Sequence, residues 1–124
     1  MHIAGCQQYG CVFTQSYATG DDKITFYHWD YAHNINYVIR TYCHEAGHYI
    51  DRKLAKSTTR FSNESLWAKA MADDLQISKK KSCTAYGEAA AVEDYAESIA
   101  EYIKDKTAFT KDFPNRAAIL NKII

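Results

Sequence analysis

The chain has 124 residues, room for one domain around one core, and its 47% hydrophobic against 24% charged residues exclude a disordered polypeptide. Basic and acidic side chains balance at 15 each, which argues against a nucleic-acid binder or a polybasic membrane binder. No apolar run is long enough to span a bilayer, and no repeat or linker divides the sequence.

The N-terminus lacks the succession of charged, apolar and cleavage regions that marks a signal peptide. Ile3-Ala4-Gly5-Cys6 matches the end of a lipoprotein signal without the apolar stretch before it, and we read it as coincidence. Of the four cysteines, only Cys6 and Cys11 are close in sequence, and spacing alone does not pair them. Residues 9–17, rich in aromatic and β-branched side chains, predict a strand, and 18–22 a turn. Residues 23–29 alternate, with Ile24, Phe26 and His28 on one face and Thr25, Tyr27 and Trp29 on the other. The two segments predict an antiparallel hairpin, which needs a helical layer or further strands to be stable.

The period then changes. Over 31–56, Ile35, Val38, Ile39, Tyr42, Ala46, Tyr49, Ile50 and Leu54 recur at three- and four-residue steps, which predicts a long helix started by Asp30 or Asn34. Residues 57–59 read as a loop. Residues 63–75 predict a second helix, capped by Ser62 or Asn63, burying Leu66, Trp67, Ala70 and Met71. Lys79-Lys80-Lys81 reads as a solvated loop in preference to a contact for an acidic substrate. Residues 88–106 predict a third helix burying Val92, Tyr95, Ile99 and Ile103. Pro114 suits the first turn of a last helix ending near Ile123. The elements together predict an α+β fold, mostly helical, with a short antiparallel hairpin and one domain over residues 1–124.

Near the middle of the long helix stands His44-Glu45-Ala46-Gly47-His48, an H-E-x-x-H motif. Positions i and i+4 share a helix face, so both imidazoles can reach one metal ion, and Glu45 projects toward the same open position. Two neutral nitrogens and a nearby carboxylate are what a hydrolytic zinc centre requires. Cys43 precedes the motif directly, but helix neighbours point about 100° apart, so it is expected in the core. A third ligand is still needed. No histidine follows His48, and His2, His28 and His33 read as strand-face or surface residues. The third helix offers Glu88, Glu93, Asp94, Glu97 and Glu101. Glu93 and Glu97 stand one turn apart beside the apolar stripe, among Ala89, Ala90, Ala96 and Ala100, whose small side chains let helices approach. One of the two glutamates can ligate a metal while the other bonds a ligand histidine.

These residues resemble the catalytic domain of anthrax toxin lethal factor and its relatives, including the Pro-Pro endopeptidases. That family carries an H-E-x-x-H helix, then a tyrosine, then an E-x-x-A-E helix. The counterparts are His44 to His48, then Tyr86 with Gly87, then Glu93-Asp94-Tyr95-Ala96-Glu97. The intervals from His48 to Tyr86 and from Tyr86 to Glu93 agree with the family pattern. The resemblance runs from about Asn34 to Ile124. Before that only a hairpin is shared, and the family domain usually has more strands there.

The resemblance implies a zincin-like fold of gluzincin type. It implies one zinc ion held by His44, His48 and Glu93, with Glu45 as base and Tyr86 as the hydroxyl that steadies the oxyanion. Glu97 is expected behind the ligands. Asp51 matches a family aspartate that either bonds a ligand histidine or only supports the helix surface. The expected function is a zinc-dependent endopeptidase, with water activated by zinc and Glu45. Its partner would be a protein or peptide lying extended along the strand at 23–29, where Tyr27, His28 and Trp29 either shape subsites or simply pack. A secreted bacterial protein is implied. The alternatives are a metal-binding domain of the same fold without useful catalysis, and a helical interaction protein in which the motif arose by chance.

Overall fold

The computed structural model describes residues 2–4, 25–27, 35–55 and 60–124. Among these residues, five α-helices carry the architecture: α1 (Ile35–Leu54), α2 (Ser65–Ser78), α3 (Ala91–Lys104), α4 (Lys106–Asp112) and α5 (Pro114–Leu120). Two 3-10 turns, Phe61–Asn63 and Tyr86–Ala89, lead into α2 and α3. Among the described residues no helix is long and apolar enough to cross a membrane.

The expected α+β fold with an antiparallel hairpin is overturned, because the architecture is all-α. Of the residues expected in the second strand, Thr25–Tyr27 are described and are extended, and the rest lie outside the described residues. The extended segment pairs with His2–Ala4, and the pairing is parallel, with Ile3 opposite Phe26. A ladder of three residues cannot form a layer of its own. The alternation within 23–29 is a local signal, whereas the pairing partner is not. The expected strand at 9–17, the turn at 18–22 and the loop at 57–59 lie outside the described residues.

The helix ends follow their chemistry. Arg52 and Lys53 occupy the last turn of α1, and Glu93 and Asp94 the first turn of α3, the signs the helix dipole favours. α2 starts two residues later than expected and runs on to Ser78, where Lys79 closes it in the left-handed conformation (φ 61°). Neither Ser62 nor Asn63 caps it, since both belong to the preceding 3-10 turn. The expected third helix is broken at both ends. Ala90 is extended ahead of α3, and Asp105 starts a new helix by accepting the Ala108 N–H at 3.0 Å. Pro114 opens α5 as expected.

The core gathers Phe61, Trp67, Tyr95, Ile99, Tyr102, Phe109, Phe113, Ala117 and Leu120. Trp67 meets Tyr95 edge to face at 4.7 Å, and Phe61 meets Tyr95 at 5.7 Å. The central helix is α3, buried without a break from Asp94 to Ala100. Four expected core residues are elsewhere. Leu66 and Ile103 are exposed, while Val92 and Cys43 are half-buried.

One ion cluster closes the far side of this core. Arg116, Asp74 and Asp94 are each 0% exposed. The Arg116 guanidinium donates twice to Asp94 (both 3.0 Å), once to Asp74 (3.1 Å) and once to the Lys81 carbonyl (2.8 Å). Asp74 also accepts the backbone N–H groups of Asn115 and Arg116, so it caps α5, and Trp67 Nε1 donates to Asp94. Removing the arginine leaves two buried carboxylates with neutral donors but no opposite charge. Arg116→Met is therefore expected to destabilise the protein by about 3–5 kcal/mol. Urea unfolding read by tryptophan fluorescence measures this, and a loss smaller than about 1 kcal/mol would show that the cluster contributes little.

Candidate metal centre

α1 and α3 cross closely because Gly47 lies on Ala96. A Cβ on Gly47 would stand 3.0 Å from the Ala96 Cα, so a larger residue would push the helices apart. This approach brings the motif on α1 to Glu93 on α3. Of the alanines expected to allow it, Ala96 makes the contact and Ala100 is buried, whereas Ala89 and Ala90 lie exposed ahead of α3.

His44, His48 and Glu93 form the one group of potential metal ligands among the described residues, with one donor atom from each within 4.8 Å of the others. The two Nε2 atoms are 3.1 Å apart. Glu93 Oε1 lies 3.2 Å from that of His44 and 2.9 Å from that of His48. Bonds of about 2.0–2.2 Å to a tetrahedral zinc ion would separate neighbouring donors by about 3.3 Å, within a few tenths of an ångström of this spacing. Glu93 Oε1 is also buried with no hydrogen-bond partner of its own. Two imidazole nitrogens and an orphaned carboxylate oxygen aimed at one point fit a small divalent cation.

The surroundings orient this set. His44 Nδ1 lies 2.6 Å from Glu97 Oε2, which fixes the proton on Nδ1 and leaves Nε2 with its lone pair facing the centre. Glu97 is held in turn by two bonds from Arg40 (2.9 and 3.2 Å) and one from the Thr84 hydroxyl (2.7 Å). Burial works against its charge, but the His44, Arg40 and Thr84 hydrogen bonds prevail and bring its pKa down to about 2. Glu93 is held low in the same way, its burial outweighed by both histidines. Glu45 is buried, and desolvation raises its pKa despite the nearby imidazoles. Tyr86 is 51% exposed, with its ring 5.6 Å from that of His44, and donates its hydroxyl to Glu93 Oε2 at 3.0 Å. Partial burial and that bond push its pKa up to about 12, so it keeps its proton.

Asp51 does not bond a histidine and is not on the surface. It is fully buried and accepts both the Ser62 N–H and the Ser62 hydroxyl at 2.6 Å, tying the end of α1 to the turn before α2. Arg40 and Thr84 are functional neighbours the sequence reading passed over. Arg40 carries a legible signal, one helical turn before His44 on the same face, whereas Thr84 carries none. The histidines His28 and His33 and the cysteines Cys6 and Cys11 lie outside the described residues.

The chain matches no protein-family model, no curated protein and no solved structure.

Protons and a metal compete for the same lone pair of His44. Burial lowers the His44 pKa, but its contacts with Glu93 and Glu97 outweigh this and raise it from the ordinary 6.5 to about 9. The stability this proton gives the metal-free protein is complete below pH 6.5 and is lost as pH rises through about 9. A metal needs the same lone pair and must displace the proton. Apparent affinity for a divalent cation is therefore expected to climb with pH toward about 9 and to level off above it. Competition against a chromophoric chelator across this range checks the slope, and a flat profile would contradict a protonated resting centre.

Proposed function

We propose that the protein is a zinc-dependent endopeptidase. The observation that carries this reading is the convergence of His44, His48 and Glu93 on one point, with Glu45 buried beside it and the Tyr86 hydroxyl at its exposed edge. Two nitrogens and one carboxylate oxygen suit zinc and leave its fourth position open. Zinc held there would supply the Lewis acidity that makes water a nucleophile near neutral pH.

The remaining roles belong to the chain. Glu45 takes a proton from the attacking water and passes it to the departing amine. Tyr86, still a phenol, donates to the carbonyl oxygen as that atom gains charge. For this it must leave Glu93, and its exposure gives it room to turn. Glu97 keeps His44 in the tautomer the centre needs. The substrate proposed is a protein or peptide held extended. Among the described residues Thr25–Tyr27 pairs only with His2–Ala4, so its other edge is a candidate for strand addition.

Glu45→Gln is expected to retain zinc and lose hydrolysis by about 10²–10⁴-fold. Metal content and cleavage of a quenched-fluorescent peptide library, Pro-Pro sequences included, give the two readings. Full activity in the variant would remove Glu45 as the base. A zinc-loaded wild type that cuts no library member would leave a metal-binding domain without catalysis.

A further inference from the structure

Thr84 stands between the two parts of this centre. Its Oγ accepts the Gly87 N–H at 3.1 Å and lies 2.7 Å from Glu97 Oε1. Glu97 already receives hydrogens from His44 Nδ1 and from both terminal nitrogens of Arg40. A carboxylate so surrounded has none to give, so the single hydroxyl hydrogen of Thr84 points at Glu97 and its lone pairs face Gly87. The bonds therefore run one way, from the Gly87 amide through Thr84 to Glu97, where they meet the hydrogen of His44. The turn that starts them is seated tightly. A Cβ on Gly87 would lie 2.1 Å from Ser82 Oγ and 3.4 Å from the Asp94 Cα.

We propose that Thr84 is a positioning residue for this centre, its one hydroxyl setting both the His44 imidazole, through Glu97, and Tyr86, through the Gly87 amide beside it. The role of Tyr86 rests on the peptidase reading, whereas the link from Gly87 to His44 does not. The charged acceptor at the end strengthens both bonds of the relay. Reacting groups from two elements gain from such a link, because small misplacements between them are costly.

Thr84→Val keeps the branched shape and deletes the hydroxyl, and Thr84→Ser keeps the hydroxyl. In metal-free protein, amide exchange at Gly87 is expected to quicken roughly tenfold in Thr84→Val and to return in Thr84→Ser, with Tyr95 as an unchanged core control. Zinc affinity should fall roughly tenfold in the valine variant and recover in the serine variant. In the cleavage assay Thr84→Val should lower kcat with little change in KM. Added to Tyr86→Phe, it should cost less than it does in the wild type, because only its effect through His44 remains. Unchanged Gly87 exchange and zinc affinity, or kinetic losses that multiply, overturn the relay. If the wild type cleaves no peptide, the peptidase reading fails alone, and exchange with zinc affinity still decides for or against Thr84.

Discussion

The approach of α1 to α3 is the constraint on which everything else depends. Two of the three converging donor residues sit on one helix and the third on the other, so the spacing among them is the spacing between backbones. Gly47 and Ala96 set it by having almost nothing between them. Glycine inside a helix costs about 1 kcal/mol against alanine, a cost that makes sense only where a neighbouring backbone must come close. The bonds of Glu97 to His44 and Arg40 fasten the same two helices beside that contact, so steric fit and electrostatics favour one arrangement.

Where that contact falls also explains why the centre was more legible than the fold. The motif and the one-turn step from Glu93 to Glu97 are spacings along the chain, which helical periodicity converts into faces without any tertiary knowledge, while Tyr86 and the choice of Glu93 over Glu97 came from the family resemblance. The apolar stripe of α1 was a poorer guide. Ile35, Ile39 and Tyr42 are exposed, while His44, Glu45, His48 and Asp51 are buried. Hydrophobic periodicity assumes that the buried face is the apolar one, and a helix that turns a polar site inward breaks that assumption. Leu66 and Ile103 fail for the related reason that no element among the described residues covers them.

Other features had no local signal at all. Arg116, read alone, belongs on a surface, and its burial follows only from Asp74 and Asp94 arriving from two other helices. The hairpin shows the same limit, since alternation within 23–29 predicts an extended segment but says nothing about its partner. Asp51 falls between these cases. Its place one turn past the motif invited a role at the histidines, yet Ser62 supplies both of its hydrogen bonds. An aspartate beside a metal motif can thus serve the scaffold rather than the ligands.

The two buried polar clusters solve the same desolvation problem in opposite ways. Around Arg116 the charges are fully enclosed, and each carboxylate is met by several donors, which suits a permanent structural tie. Around His44 the donors are arranged from behind only. Glu97, Arg40 and Thr84 satisfy the outer side, while the inner side presents two nitrogens and an oxygen to one another with no donor between them. Such an arrangement is favourable only with a positive charge in the middle. A proton on His44 meets that need in part, which is why Glu93 and Glu97 raise its pKa against the effect of burial. A proton can serve only one pair of these atoms at a time, whereas a divalent cation satisfies all three. The first cluster is closed on itself; the second turns three donor atoms toward one point, the arrangement a divalent cation would satisfy.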